Sequence, residues 1–343
     1  MQLTVEKIFF RAGSVLRDRR TGIVFRILLT LLFVYLVNRS IKPGQITALF
    51  VKLDPLPLCL AFLCGIVSLY LQMLRWVGVL EYQGFNCGKK DALKTLLWGN
   101  LLAFITPGRT GEFFRGFSLD KTRKGASVIA VAVDRFFVLA ATIVFGMIAA
   151  VFQIVATGRL PPLVFLAALA LIIISLPVVY FLLRVVRSRS SSQKVIMVSG
   201  FLNDFISDLV RMRWNRAVLY SLAAQIFLLI QTSLLFSMFG GVAFHSGALV
   251  AAQAYAMMVF LPFSIANIGV REYTFGLFLK NVPSFLPEDS IAIVAFGAST
   301  MVLLMNIILP ALAGLLWGLS DVKRTEVEPG TELEKYLVDE KGN

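Results

Sequence analysis

Apolar positions in this chain run in long blocks rather than in the narrow stripes of a soluble amphipathic helix. Six blocks, at residues 23–37, 56–80, 128–155, 163–183, 217–239 and 291–319, lie around the ~20 residues that a ~30 Å hydrocarbon core asks of a helix. Lipid offers the backbone no hydrogen-bond partner, so each block is expected to be a helix that satisfies itself. Two further apolar stretches, 92–107 and 251–280, are broken. The first stops at Thr106-Pro107-Gly108 and resumes as Arg109-Thr110-Gly111-Glu112; the second is interrupted at Pro262 and Gly269. A breaker followed by a fresh helix start gives two half-length helices. We read each as a re-entrant hairpin, whose irregular backbone must line a cavity or be buried in protein.

The pattern predicts an all-α polytopic membrane protein with about six transmembrane helices and two broken re-entrant hairpins, eight hydrophobic segments in all. A basic interfacial segment is expected at 1–20, the transmembrane domain at 21–320 and a polar cytoplasmic tail at 321–343. Residues 195–214 set Phe201, Leu202, Phe205 and Leu209 on one face and Asn203, Asp204, Asp208 and Arg211 on another, as in an amphipathic helix on the cytoplasmic surface. If the N-terminus is cytoplasmic, Arg17, Arg19, Arg20, Lys89, Lys90, Lys121, Arg123, Lys124, the 184–216 cluster, Lys323 and Arg324 fall inside. Only Arg39, Lys42, Lys52, Arg159 and Lys280 fall outside, which agrees with the positive-inside rule for a cell membrane and places both termini in the cytoplasm. The halves, about 21–156 and 162–320, each read span, span, hairpin, span. Three crossings per half invert one relative to the other, an arrangement of secondary transporters with the site near midplane. Full crossing by each hairpin would give eight spans and move the 184–216 cluster outside.

Composition agrees with the membrane reading. Of 343 residues 58% are hydrophobic and 15% charged, and the mean hydropathy is +0.81, too apolar for a soluble chain of this length. A net charge of +13 could suggest nucleic acid, but the basic residues sit in loops beside apolar blocks, and no zinc-finger or RNA-binding signature occurs. No nucleic-acid partner is expected. Cys59, Cys64 and Cys87 make no disulfide framework and read as small apolar residues. Residues 1–20 are basic with no small-residue cleavage site after the next apolar run, so the first span is expected to be an uncleaved anchor.

The chemistry concentrates at the breaks. Gly108-Arg109-Thr110-Gly111-Glu112 and Gly269-Val270-Arg271-Glu272 each join a glycine, an arginine and a glutamate to an aromatic-rich half-helix. The N-terminus of a half-helix offers unpaired N–H groups and a positive dipole end to an anion. Arg109, Arg115 and Arg271 add forked donors suited to phosphate. The plainer alternative is that Arg and Glu pair with each other and stitch the hairpin. Asp134, two turns into the third span, needs a partner or water; it is either a coupling residue paired with Arg109 or Arg115, or a bridge to its neighbour Arg135. Arg75, at the inner end of the second span, reads as a snorkelling side chain. Asn100, Gln225, Gln231, Gln253 and Asn306 read as interhelical hydrogen-bond contacts. His245, the only histidine, reads as a surface residue of an outer loop, without a metal case. No catalytic signature of hydrolases, nucleotide-binding or nucleotide-sugar enzymes occurs, so no catalytic residue, metal or cofactor is expected.

Thr106-Pro107-Gly108-Arg109-Thr110-Gly111-Glu112, Val133-Asp134-Arg135 and Ile268-Gly269-Val270-Arg271-Glu272 resemble the transmembrane region of lysylphosphatidylglycerol synthases and of stand-alone flippase-like membrane proteins, over most of 20–320. The resemblance implies translocation of a lipid with a phosphate headgroup, aminoacylated or polyprenyl-linked. It marks Arg109, Glu112, Arg115, Asp134, Arg271 and Glu272 as the matching positions. After Leu319 only a polar tail follows, with no counterpart of the soluble aminoacyl-transferase domain, so the chain is not expected to make the lysyl lipid itself. Ser264-Ile265-Ala266-Asn267 stands where a glycine-richer loop is common. The expected function is thus a lipid translocase: Arg109, Arg115, Arg271, Gly108, Gly111 and Gly269 bind substrate, while Glu112, Asp134 and Glu272 pair with the arginines or couple transport to a proton or cation. The alternatives are a non-transporting accessory to an envelope-synthesis enzyme and a membrane-embedded transferase.

Overall fold

The computed structural model describes residues 53–106, 110–113, 115, 124–158, 206, 214–261, 267–281 and 287–317. The expected spans 23–37 and 163–183, the segments 1–20 and 321–343 and nearly all of 195–214 lie outside them, as do Pro107, Gly108 and Arg109. The elements are α1 (Pro55–Tyr82), α2 (Lys89–Ile105), a 3-10 turn (Thr110–Phe113), α3 (Lys124–Thr157), α4 (Trp214–Gly240), α5 (Phe244–Val259), α6 (Val270–Leu279) and α7 (Glu288–Leu303). A π turn, Leu304–Ile308, carries α7 on to Trp317. No strand occurs among the described residues.

Local sequence explains the boundaries. At the start of α1, Asp54 accepts the Leu56 N–H at 3.1 Å, and Pro55 takes the first helical position, where a missing N–H costs nothing. At its end, Gly84 adopts φ 71° and donates to Glu81, while Phe85 donates back to Leu80, which closes the helix in a Schellman motif. α1, α3, α4 and α7 are long and apolar enough to cross a membrane. They match the expected spans at 56–80, 128–155, 217–239 and 291–319. Asp134-Arg135 does not interrupt the third span, because α3 runs unbroken through it. Leu63, Phe152 and Val155 are 55%, 54% and 81% exposed among the described residues, a surface suited to lipid and costly in water.

The broken stretches are shorter. By helix rise, α2 (17 residues) and α5 (16 residues) span about 24–26 Å, less than the ~30 Å hydrocarbon core. In each case the following segment packs back on its helix: the 3-10 turn on α2, and α6 on α5. Tyr255, near the end of α5, meets Phe275, early in α6, with ring centroids 5.7 Å apart. The second stretch begins earlier than its expected start at residue 251, at Phe244, which puts His245 in the first turn of α5, where it is exposed.

The halves are related by an internal symmetry. α1 packs on α2 as α4 does on α5, and α1 on α3 as α4 on α7. Across the halves, α3 packs on α4 as the π turn of α7 does on α1, and α3 on α5 as that turn does on α2. α1 and α4 lie against each other at the centre, and they run antiparallel. Ser68 Oγ donates to the Ala224 carbonyl at 3.0 Å and Arg75 Nη1 to Ser221 Oγ at 3.4 Å, so numbering rises on one helix as it falls on the other. Among the described residues these equivalent helices cross antiparallel, the relation that inverted repeats require. Two buried clusters form the core, and each takes in residues of both halves. One is built around Trp76, Leu80, Leu96 and Phe137; the other around Phe236, Val250, Phe275 and Ala298.

The turn of the first hairpin has a specific cause. Thr106 is extended (φ −98°, ψ 137°), as a residue before proline must be. Its hydroxyl donates to the Leu102 carbonyl at 2.7 Å and accepts the Gly111 N–H at 2.6 Å. A Cβ at Gly111 would lie 2.2 Å from the Leu102 oxygen, so only glycine permits the approach. Gly111→Ala is expected to lower stability by about 1–3 kcal/mol, read as an earlier thermal transition in detergent. Gly78→Ala is the control, since a Cβ there meets nothing within 4 Å and should leave the transition unchanged or raise it.

Candidate functional site

The third span carries a carboxylate in its buried face. Asp134 is fully buried, and its oxygens receive Arg75 Nε from α1 at 2.7 Å and Arg115, which follows the 3-10 turn. Arg115 also lies over the Trp76 ring, 4.1 Å from its centroid, and Trp76 donates to Thr95 Oγ1 of α2 at 3.0 Å. Arg135, one step along α3, points elsewhere and pairs with Glu112 of the 3-10 turn. The cluster therefore sets three arginines against two carboxylates. Low dielectric makes each pairing strong and would make an unpaired member very costly.

The second hairpin solves the same problem with a neutral intermediary. Arg271 Nε donates to Ser299 Oγ of α7 at 2.9 Å, and that hydroxyl donates to Glu272 Oε1 at 2.6 Å. The other oxygen of Glu272 accepts the Gly269 N–H at 2.5 Å. Gly269 holds φ 82° and Asn267 φ 58°, the left-handed turn that starts α6. The expected anion site at this half-helix N-terminus is thus already taken, at Gly269, by the helix's own glutamate. Gly111 likewise spends its N–H on Thr106.

Both hairpins face one cavity of about 490 Å³ between the halves. Arg75, Arg135 and Glu112 from the first half and Arg271 and Asn267 from the second lie in its wall. Ser68, Gln72, Thr142, Gln225 and Asn306 add a neutral polar lining; Leu69, Val138, Met258 and Val302 add an apolar one. Of the residues predicted from the sequence, the structure brings Glu112 and Arg271 to this wall. Arg115 and Asp134 sit behind it, locked to each other. Glu272 and Gly269 form the base of α6. Asp134 meets Arg115, one of the two coupling partners expected for it, while Arg135 goes to Glu112 instead.

Sequence reasoning misplaced Arg75. It does not snorkel to the interface but is 2% exposed and bound to Asp134. The signal was there in Asp134, since a carboxylate at that depth calls for cations from neighbouring spans. Arg135 was weighed only as a neighbour of Asp134, and its place in the cavity wall depends on the return of the first hairpin. The polar residues expected to bridge helices mostly do: Gln253 donates to Gln153 and Asn306 to Gln231, both at 2.7 Å, and Thr142 to Gln225 at 3.3 Å. Asn100 is buried in the cavity wall.

A family model described as the lysylphosphatidylglycerol synthase TM region matches residues 23–309. No curated protein and no solved structure matches the chain.

Replacing Asp134 by alanine would strand Arg75 and Arg115 in the apolar interior. The expected loss is about 3–5 kcal/mol, seen as a collapse of the thermal transition or of monodisperse yield in detergent. Exchanging all three together (Asp134→Leu, Arg75→Met, Arg115→Met) should recover most of that loss, because the desolvation cost goes with the charges.

Proposed function

The chain belongs to the lysylphosphatidylglycerol synthase TM-region family, and from that premise we propose that it is a translocase carrying a phosphate-bearing lipid between the leaflets of the cell membrane. It is a multi-pass membrane protein of a lipid-modifying and lipid-translocating family. The observation that carries the finer reading is the largely apolar cavity between the halves, with polar groups set into its wall and arginines contributed by both of them. A headgroup phosphate there meets Arg135 and Arg271, with Arg75 behind them. Acyl or isoprenoid chains stay against the apolar lining and the surrounding lipid. Glu112 neutralises Arg135 when the cavity is empty of substrate, and the Glu272–Ser299 link holds Arg271 in place.

In this reading nothing is made or broken, so the protein turns over no chemical product. Both termini lie in the cytoplasm, supported by the basic residues that collect in loops on one side. Inverted halves around a midplane site suit alternating access, in which one half rocks against the other.

The test is redistribution of labelled lipids in proteoliposomes. Wild type should move at least one phospholipid faster than empty liposomes do, and Arg271→Ala and Arg135→Ala should each slow it by roughly tenfold or more, the scale of one lost charge-assisted contact. Arg109→Ala tests the remaining arginine of the first motif. Movement that survives Arg135→Ala and Arg271→Ala unchanged would remove the cavity from the mechanism. A chemically altered lipid would replace the translocase by a transferase.

A further inference from the structure

The wall of the cavity is uneven in charge, and that unevenness selects among phospholipids. Among the described residues, Glu112 is the only carboxylate lining it, and Arg135 holds it. Asp134 lies behind the wall between Arg75 and Arg115. Glu272 is engaged by Ser299 and by the Gly269 N–H. Three guanidinium groups line the cavity against that one carboxylate, so among the described residues the wall is net positive and a second positive charge entering with the lipid is repelled.

What the wall does offer is neutral hydrogen bonding at the crossing of α1 and α4. Ser68, Gln72, Thr142, Gln225 and Asn306 come from four different helices. Ser68 is bonded to Ala224 and to Gln72, which donates to it at 3.3 Å, and Asn306 to Gln231. Gln225 is the telling case. It is 6% exposed, its carbonyl oxygen accepts from Thr142, and its amide nitrogen has no hydrogen-bond partner among the described residues. A buried amide donor left without an acceptor is a standing cost that a ligand hydroxyl or ether oxygen removes. The same wall holds Arg135 Nε, also buried and without a hydrogen-bond partner among the described residues.

We propose that the cavity selects a phosphodiester lipid whose headgroup is neutral and rich in hydroxyls, a glycerol or a sugar, and discriminates against lipids whose headgroup carries an ammonium group. The phosphate meets the guanidinium groups, and the hydroxyls meet the amide and hydroxyl lining around Gln225. The transport arm of this proposal rests on the translocase reading above; the binding arm does not.

Two measurements on the full chain test it. Native mass spectrometry of the detergent-solubilised protein would compare binding of phosphatidylglycerol and a short-chain polyprenyl-phosphate hexose with that of lysyl-phosphatidylglycerol and phosphatidylethanolamine. Proteoliposome assays would compare their movement. The two hydroxylated lipids are expected to bind and move better than the ammonium-bearing pair by roughly tenfold or more, the cost of placing a cation against a net positive wall. Gln225→Glu, which adds a carboxylate where the neutral donor stands, should narrow or invert the preference. Gln225→Met should weaken the hydroxylated lipids while sparing phosphatidic acid, which has a phosphate and no headgroup beyond it. Equal or stronger binding of lysyl-phosphatidylglycerol by the wild type would overturn the proposal, whatever the variants do. If the binding preference holds and no lipid moves, the specificity stands and the translocase reading falls.

Discussion

A carboxylate buried in an apolar helix cannot stay charged alone, and Asp134 is held by Arg75 from α1 and by Arg115 from the return of the first hairpin. Those pairings bring three parts of the first half to one point. Arg115 is steadied further by the Trp76 ring, and Trp76 by Thr95 on α2. Arg75 then reaches across to Ser221 on α4, so the cluster also touches the second half at the central crossing. Asp134 balances only one of its two arginines, and Glu112 is taken by Arg135. Among the described residues the cluster therefore carries one positive charge more than its carboxylates cancel, and Arg75 and Arg135 lie in the cavity wall. The electrostatics of the wall follow from what was needed to bury the helix.

Symmetry relates the two halves in their packing but not in their charge. The first hairpin is tied to α3 by an ion pair, Glu112 to Arg135, in the cavity wall. The second is tied to α7 through the Ser299 hydroxyl, and Glu272 has its oxygens on that hydroxyl and on the Gly269 N–H. In the proposed translocase an incoming phosphate would compete with Glu112 for Arg135, anion against anion. The π turn adds a second asymmetry, since α7 carries it at Leu304–Ile308 beside the cavity while α3 runs as an unbroken α-helix. Inserting one residue into a helix there turns Asn306 to Gln231 and leaves room before Pro310, which cannot donate to the preceding turn.

Long apolar blocks made the four described spans legible, and the proline and glycine breaks marked where α2 and α5 end, because lipid forces the backbone into helices of set length. The antiparallel crossing of α1 and α4 is the relation that an odd number of crossings per half would give. The partners of the charges were not legible. Asp134 stated that cations must lie near, but whether they came from residue 75, 109, 115 or 135 depended on how the first hairpin returns. That return rests on Thr106 and Gly111, a contact between backbone and one hydroxyl that leaves no periodic trace. Arg75 was hidden by its place near a span end, where a long side chain has a cheap route to water. The neutral lining was legible as a class, in Gln225 and Asn306, but not as a surface, because it is assembled from helices distant in sequence.

The expectation that a half-helix N-terminus would hold the anion met a competitor already in the chain. Glu272, three residues after Gly269, folds back onto its N–H, and a carboxylate there also offsets the positive end of α6. The guanidinium groups that line the cavity lie on different helices. Arg135 and Arg271 belong to opposite halves, and any rocking of one half against the other changes the distance between them. In the translocase proposed above, a phosphate gripped from both halves would lose contacts as they part, and its affinity would fall where release requires it. Under that proposal the loss of the helix terminus as a binding site costs nothing: holding the anion by side chains would tie its grip to the motion that must let it go.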